Sequence, residues 1–318
     1  MPYRPITYRI KIGENMGLKN HLNPYSKLQF SIAKELENLG LSDSKKLELL
    51  EQIPSRWEKL GDLVLIPEDS LNSKIWIEIL SMLNDKIWKI FCDILDVSKV
   101  GRQNKIKSGP MRKSQVELLY GDNGVVLHKE NGIIFEFDTT RVMFSSGNIS
   151  ERIRMSKFTC SNEVILDLYA GIGYYTLPLL VHSRAKLVHA CEINSDSIKE
   201  LKKNLIHNGV SKNCIIHEGD NISILSKSDL IGKINRVMLG LLPSSENGWS
   251  LAIKALDSAG GMLHLHGNAV AKEEKKWAEQ VIKKLKKISD DTNRNFKFKL
   301  EHIEKVKSYA PKINHIVL

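Results

Sequence analysis

No run of about 18 uncharged apolar residues occurs in the 318-residue chain, so a membrane-spanning helix is not expected. The opening stretch MPYRPITYRIKIGEN has no apolar signal core, and a cytoplasmic location is the expectation. Cysteine is scarce and scattered. Cys92, Cys160, Cys191 and Cys214 show no C-x-x-C spacing, which argues against a zinc site or a thiol-exchange motif and predicts reduced, mostly buried thiols. No Ser-His-Asp or Cys-His ordering points to covalent catalysis. His264 and His266 alternate on one apolar strand with no third ligand at useful spacing, so no metal is expected. Internal repeats and low-complexity tracts are absent as well.

What is there has globular composition: 42% hydrophobic and 26% charged, long enough for one large domain and a smaller one. The net charge of +10 is unevenly spread. Lys99, Arg102, Lys105, Lys107, Arg112 and Lys113 form a stretch without an acid. Lys283, Lys284, Lys286, Lys287, Arg294, Lys297 and Lys299 form a second group, broken by Asp290 and Asp291. Such clusters either track a phosphate backbone or form a solvated lysine-rich face, and charge alone leaves both open.

Three regions follow from the patterning. Residues 1–45 read as an N-terminal arm and helix, 46–144 as a smaller α+β domain, and 145–318 as an α/β, Rossmann-like domain with a mostly parallel sheet. Leu28, Ile32, Leu36, Leu39 and then Leu47, Leu50 have helical spacing, with Gly40 as the break, so two short helices are predicted. LGDLVLIP (60–67) reads as a strand, and 74–95 as one helix. The basic stretch, with Gly101, Gly109 and Pro110, reads as a loop. SQVELLYG, NGVVLHKENG and IIFEFD then read as an antiparallel meander turning at 121–124 and 130–132. Beyond about residue 145 strands alternate with amphipathic helices: VILDLY, LVHACEI, CIIHEG, RVMLGL and GMLHLHG. A basic helix over 273–288 precedes a reversed final pair, FKLEHIEKVKSY and NHIVL.

The chemistry sits at the strand ends. The first ends in Asp167-Leu-Tyr169-Ala170-Gly171-Ile-Gly173, a turn whose glycines let backbone approach a nucleotide-like ligand. A dinucleotide site would need a third glycine at 176, which is Thr, and an acid four residues before the first glycine suits a methionine ammonium better than a pyrophosphate. Glu192 ends the second strand, where a carboxylate accepts both hydroxyl protons of a ribose. Asp220-Asn221 follows the third, suited to an adenine amino group and ring nitrogen, although an ordinary Asx turn has the same residues. Upstream, Ser145 or Ser146 with Arg152 would offer a hydroxyl and a fixed cation to the methionine carboxylate; a serine-capped basic helix is the plain alternative. After the fourth strand, Leu239-Gly240-Leu-Leu-Pro-Ser-Ser-Glu246 lacks the Asn- or Asp-Pro-Pro-Tyr that many amino-group methyltransferases place there.

Taken together, MFSSGNISERIR, ILDLYAGIGYYTLPLLVHSRAKLVHACEIN, HEGDN, LGLLPSSENGW, GGMLHLHGN and VKSYAPKINHIVL resemble the eukaryotic and archaeal wybutosine-synthesis aminocarboxypropyltransferases. IPSRWEKLGDLVLIPED extends the likeness more weakly over most of the chain from about residue 25. The resemblance implies a class I methyltransferase fold with a seven-stranded sheet. It further implies transfer of the 3-amino-3-carboxypropyl group of S-adenosylmethionine, the co-substrate, to 4-demethylwyosine beside the anticodon of phenylalanine tRNA; a monomer is the separate expectation. The family's donor contacts fall on Ser145, Arg152, Glu192, Asp220 and Asn221. Where relatives use Lys, this chain has Arg152, which keeps the charge and changes the reach. With Asp167, Tyr169, Ala170, Gly171, Gly173, Asn194 and Gly240 these make the expected cofactor site, and no catalytic acid or base is assigned. The basic clusters would hold tRNA phosphates, and Tyr174, Tyr175 or Trp249 would stack the base. Two rivals stand beside this reading: a tRNA guanosine-37 N1-methyltransferase with the same donor, and a non-catalytic RNA-binding module on the same scaffold.

Overall fold

A computed structural model describes residues 23–104, 114–225 and 229–318. Residues 1–22 of the expected arm, and Lys105, Lys107, Gly109, Pro110, Arg112 and Lys113 of the basic stretch, lie outside the described residues. The described chain forms two compact units, one from residues 23–59, 63–103 and 118–121, the other from the remainder, so the segment 46–144 contributes to both.

In the first unit, α1 (Pro24–Glu37) and α2 (Asp43–Leu50) begin where side-chain oxygens of Asn23 and Ser42 accept the N–H of Ser26 and Lys45. Gly40, at φ +66°, separates them as expected. The single strand expected at 60–67 is two, β1 (Glu58–Leu60) and β2 (Leu63–Pro67), because Gly61 turns to φ +56° between them. The helix expected over 74–95 is likewise α3 (Lys74–Leu83) and α4 (Lys86–Leu95), since Asn84 at φ +48° leaves the helical region. The basic stretch opens not as loop but as β3 (Lys99–Gln103), parallel to β2, and β4 (Val116–Tyr120) completes a sheet ordered β1-β2-β3-β4. The expected meander therefore loses its first strand to this sheet. Leu28, Ile32 and Leu36 of α1 bury against Trp76 and Ile79 of α3, Ile87 and Phe91 of α4, and Val64, Ile66 and Val100 of the sheet. Each such side chain contributes roughly 1.5–3 kcal/mol of burial.

The second unit opens with the antiparallel hairpin β5 (Val125–Glu130) and β6 (Ile133–Asp138), turning on Asn131 and Gly132, both at positive φ. There follow α5 (Ile149–Met155), β7 (Val164–Asp167), α6 (Thr176–Val181), β8 (Leu187–Glu192), α7 (Ser195–His207), β9 (Cys214–Glu218), α8 (Asn221–Leu225), β10 (Arg236–Leu239), α9 (Trp249–Ala255), β11 (Met262–Val270), α10 (Glu274–Asp291), β12 (Glu304–Ala310) and β13 (Ile313–Val317). Seven strands form one sheet ordered β12-β13-β11-β10-β7-β8-β9. β13 runs antiparallel to both its neighbours, and the β11-β10-β7-β8-β9 pairs are parallel. The chain leaves β7 toward β8 on one side and returns to β10 on the other. A crevice opens at such a reversal, outside the carboxyl ends of the strands. The hairpin docks through α7: Asn204 and Asn208 accept the N–H of Glu136 and Ile134, and Asn208 also donates to the Ile134 carbonyl. Trp249, Ala252 and Ile253 of α9 with Val281 and Leu285 of α10 bury one face of the sheet against Leu166, Val237, Leu239 and Leu265. The four cysteines are free thiols, three of them buried. Among the described residues no helix is long and apolar enough to cross a membrane.

Candidate active site

The turn after β7 is shaped by what glycine alone allows. Gly171 sits at φ +57°, and a Cβ there would lie 2.3 Å from the Tyr174 ring. Gly173 sits at φ +102°, with Leu177 and Leu201 about where a Cβ would be, at 2.9–3.0 Å. Thr176 occupies the position of a dinucleotide motif's third glycine, and its hydroxyl donates to Asp167 Oδ2 at 2.8 Å. The Tyr169 N–H reaches Asp167 Oδ1 at 3.3 Å. Asp167 is wholly buried, and burial pushes its carboxyl up to about 6. Both oxygens are thus committed inside the turn: the acid expected at a methionine ammonium shapes the loop. Ala170, also buried, donates its N–H to the Cys191 carbonyl and ties β7 to β8.

Glu192 closes β8 and gathers three backbone N–H groups, Gly171 at 2.7 Å, Ile193 at 3.0 Å and Asn194 at 2.8 Å. Burial raises its pKa, and these hydrogen bonds oppose the rise. A carboxylate has about four acceptor positions, so one remains for a ligand hydroxyl beside the glycine loop. Asn194 itself caps α7 through Asp196 N–H. Asp220 Oδ1 accepts the N–H and hydroxyl of Ser223 and starts α8, which is the Asx-type alternative left open above, yet the residue stays exposed at the end of β9. Asn221 donates to the Leu168 carbonyl, joining α8 to the β7 turn. Two apolar side chains escaped notice in the sequence: Ile193, 45% exposed and next to Glu192, and Ile222, 50% exposed and two positions after Asp220. Their signal was position alone, one or two residues past an acid at a strand end.

Arg152 is 2% exposed, and its Nε and Nη2 grip the Glu130 carboxylate at 2.5 and 2.7 Å. Its remaining bonds run to the carbonyls of Ser145 and Ser146. The cation expected at a methionine carboxylate is therefore engaged within the fold. Ser145 is partly open, and Lys307 of β12 donates to its hydroxyl at 2.7 Å, a partner 162 positions away that no local motif signals. The segment rests on the glycine loop: Tyr174 donates its hydroxyl to the Met143 carbonyl, and the Phe144 and Tyr174 rings lie 5.9 Å apart. Of the three expected stacking rings, Tyr175 and Trp249 are 4% and 3% exposed and belong to the core. Gly240 leaves room for the Tyr175 ring, which a Cβ would meet at 2.9 Å.

The loop after β10 is fastened at both ends. Asn268 N–H donates to the Pro243 carbonyl, Ser245 hydroxyl to the His266 carbonyl, and Glu246 takes both its bonds from Lys284, at 2.7 and 2.8 Å. That pairing uses one cation of the C-terminal cluster; Asp290 uses Lys286 and Glu301 uses Lys299. Lys283, Lys287 and Lys297 stand exposed without an ion pair among the described residues. His266 meets a partner absent from the sequence expectation, His315, at 3.0 Å.

A seven-stranded sheet with its antiparallel strand next to one edge, a glycine turn after β7 and acids ending β8 and following β9 make this a class I methyltransferase fold. Within that class, the TRM5/TYW2 methyltransferase domain matches residues 126–297 and the TYW2 N-terminal domain residues 39–124. The chain is 40% identical to the tRNA wybutosine-synthesizing protein 2 homolog of Danio rerio, over 85% of this chain and 72% of that protein. It is 44% identical to tRNA wybutosine-synthesizing protein 2/3/4 of Arabidopsis thaliana, over 93% of this chain, but spans only 28% of that protein's length. It is similar to the crystal structure of M. jannaschii TYW2 in complex with AdoMet, at TM-score 0.62 and 27% identity, covering 82% of this chain and 96% of that one. The chain belongs to the TRM5/TYW2 family.

Proposed function

We propose that the chain transfers the 3-amino-3-carboxypropyl group of S-adenosylmethionine to 4-demethylwyosine at position 37 of phenylalanine tRNA in wybutosine biosynthesis, releasing methylthioadenosine. The observation that carries the donor site is Glu192: a largely buried carboxylate held only by backbone N–H groups, beside a glycine loop, with acceptor capacity left for a ribose hydroxyl. Ile193 and Ile222 flank the adenine, Asp220 and Asn221 meet its amino edge, and Ser145 faces the methionine end. The M. jannaschii relative named above binds the same donor.

Supporting carbon transfer rather than methylation of an amine, the loop after β10 offers no Asn or Asp-Pro-Pro-Tyr, and its one acid, Glu246, is paired with Lys284. In the reaction the bond from sulfur to the methionine γ-carbon breaks and its electron pair stays on sulfur. A carbon–carbon bond forms to the base, whose displaced proton passes to solvent. The sulfonium is already a good leaving group, so positioning supplies much of the acceleration without a dedicated acid or base. Exposed Lys283, Lys287 and Lys297, together with the segment 46–144, hold the tRNA and bring the anticodon loop to the site. Free thiols suit a cytoplasmic enzyme, acting as a monomer.

The test is mass spectrometry of the small products after incubation with S-adenosylmethionine and phenylalanine tRNA carrying 4-demethylwyosine. Methylthioadenosine with a matching gain on the base is expected. Adenosylhomocysteine would make the chain a methyltransferase, and no turnover with intact tRNA binding would make it a binding module.

A further inference from the structure

A transferable aminocarboxypropyl arm carries a carboxylate, and a carboxylate leaving water needs charged or N–H partners. The sequence points to Arg152, but the fold has spent it. Its fork grips Glu130, itself only 7% exposed, and its other N–H groups hold the Ser145 and Ser146 carbonyls. Turning Arg152 to a ligand would leave Glu130 buried with only His128 beside it, and breaking a buried ion pair by removing one partner is costly. Arg152 is a positioning residue: it fixes the backbone that presents Ser145.

We propose that Lys307 of β12, together with the Ser145 hydroxyl, receives the methionine carboxylate of the donor; the inference rests on reading the strand-end crevice as an S-adenosylmethionine site. Three separate observations converge on this ammonium. Its Nζ donates to Ser145 Oγ at 2.7 Å, which leaves the serine its own proton to donate onward. Gly147 has no left-handed backbone to require glycine, yet a Cβ there would lie 3.1 Å from both Nζ and Cδ of Lys307, so the glycine clears the path of the lysine. Finally, β12 slips register against β13 on both sides of this point, between Lys305 and Lys307 and between Ser308 and Ala310, an irregularity of the kind that re-aims a side chain. The segment bearing Ser145 is fastened to the glycine loop through Tyr174, and the same loop donates the Gly171 N–H to Glu192, so one loop links the ammonium and hydroxyl to the ribose end of the crevice. A lysine suits the task because its three donors serve the serine and a carboxylate at once.

Calorimetry with two ligands separates this role from a structural one, because methylthioadenosine keeps the nucleoside and lacks the carboxylate. Lys307→Met is expected to weaken S-adenosylmethionine binding about tenfold to a hundredfold, the value of one charged hydrogen bond, and to leave methylthioadenosine binding within about twofold. Lys307→Arg is expected to recover part of the loss, and Gly147→Ala to show the same selectivity in weaker form. Equal loss for both ligands, an unchanged S-adenosylmethionine affinity, or a loss confined to tRNA binding would each overturn the assignment. Wild-type protein that binds neither ligand would instead overturn the donor site itself.

Discussion

Two groups of acids in the second unit are kept out of water in opposite ways. Around α5 and at the start of β7 each acid meets an arginine fork: Glu130 with Arg152, Glu151 with Arg154, Glu163 with Arg236. At the strand ends Asp167 and Glu192 form no ion pair among the described residues and are held by backbone N–H groups and one hydroxyl. The forks consume both charges, whereas neutral donors leave a carboxylate its charge and part of its acceptor capacity. Protonation follows only in part. Burial raises Asp167 and Glu192; for Glu130 burial pulls the same way, but the Arg152 and His128 bonds together win and lower it. Glu151 is raised despite Arg154, because burial is the larger influence there. The type of partner, more than the direction of the shift, separates the acids locked in ion pairs from those held by neutral donors.

The contrast breaks most visibly at Arg152. Arg152→Ala leaves Glu130 buried with only His128 beside it, and urea denaturation is expected to register a loss of about 3–5 kcal/mol, much of it recovered in the double variant Arg152→Met/Glu130→Leu. A loss below about 1 kcal/mol would put this fork among ordinary surface pairs. Asp167 gives a pH signature of the opposite kind. Its folded value of about 6 stands above the ordinary 3.8, so between those values the folded protein keeps a proton that the unfolded chain releases. Stability from this group is therefore full below about pH 4 and declines as pH rises through 6, by up to about 3 kcal/mol. Relative to Asp167→Asn, the wild type should lose ground over that window in denaturation series and level off above pH 7; a constant difference would mean that the carboxyl is ionised throughout. The smallest effect sharpens the ligand side. Glu192→Ala should weaken S-adenosylmethionine binding by roughly 1.5–3 kcal/mol, and an unchanged affinity removes Glu192 from the ribose role.

The geometry of the candidate crevice was legible in the sequence because its signals are local. Gly171, Gly173, Glu192 and Asp220-Asn221 are set by turn geometry and strand ends, and they meet around one loop. The sequence carried the parallel core and the reversed final pair for the same reason, each strand being readable within its own few residues. Pairings between distant segments were not readable. Nothing near Arg152 announces Glu130, nothing near Ser145 announces Lys307, and the basic stretch at Lys99 becomes a strand only because β2 lies alongside it. Single backbone turns were missed as well: Gly61 and Asn84 each divide an element whose apolar periodicity runs straight through. The rings of Tyr175 and Trp249 were indistinguishable from stacking platforms until packing enclosed them.

A sheet that ends in an open strand is a template on which another chain's backbone can dock. Among the described residues β12 is such an end, and it bears Lys305 and Lys307 and slips register twice within seven residues. A visiting strand would find hydrogen-bonding groups out of step and charged side chains in its way, which is how natural sheets discourage edge-to-edge aggregation. The irregularity that carries a lysine to Ser145 thus also limits the growth of the sheet, and straightening β12 would endanger solubility along with chemistry.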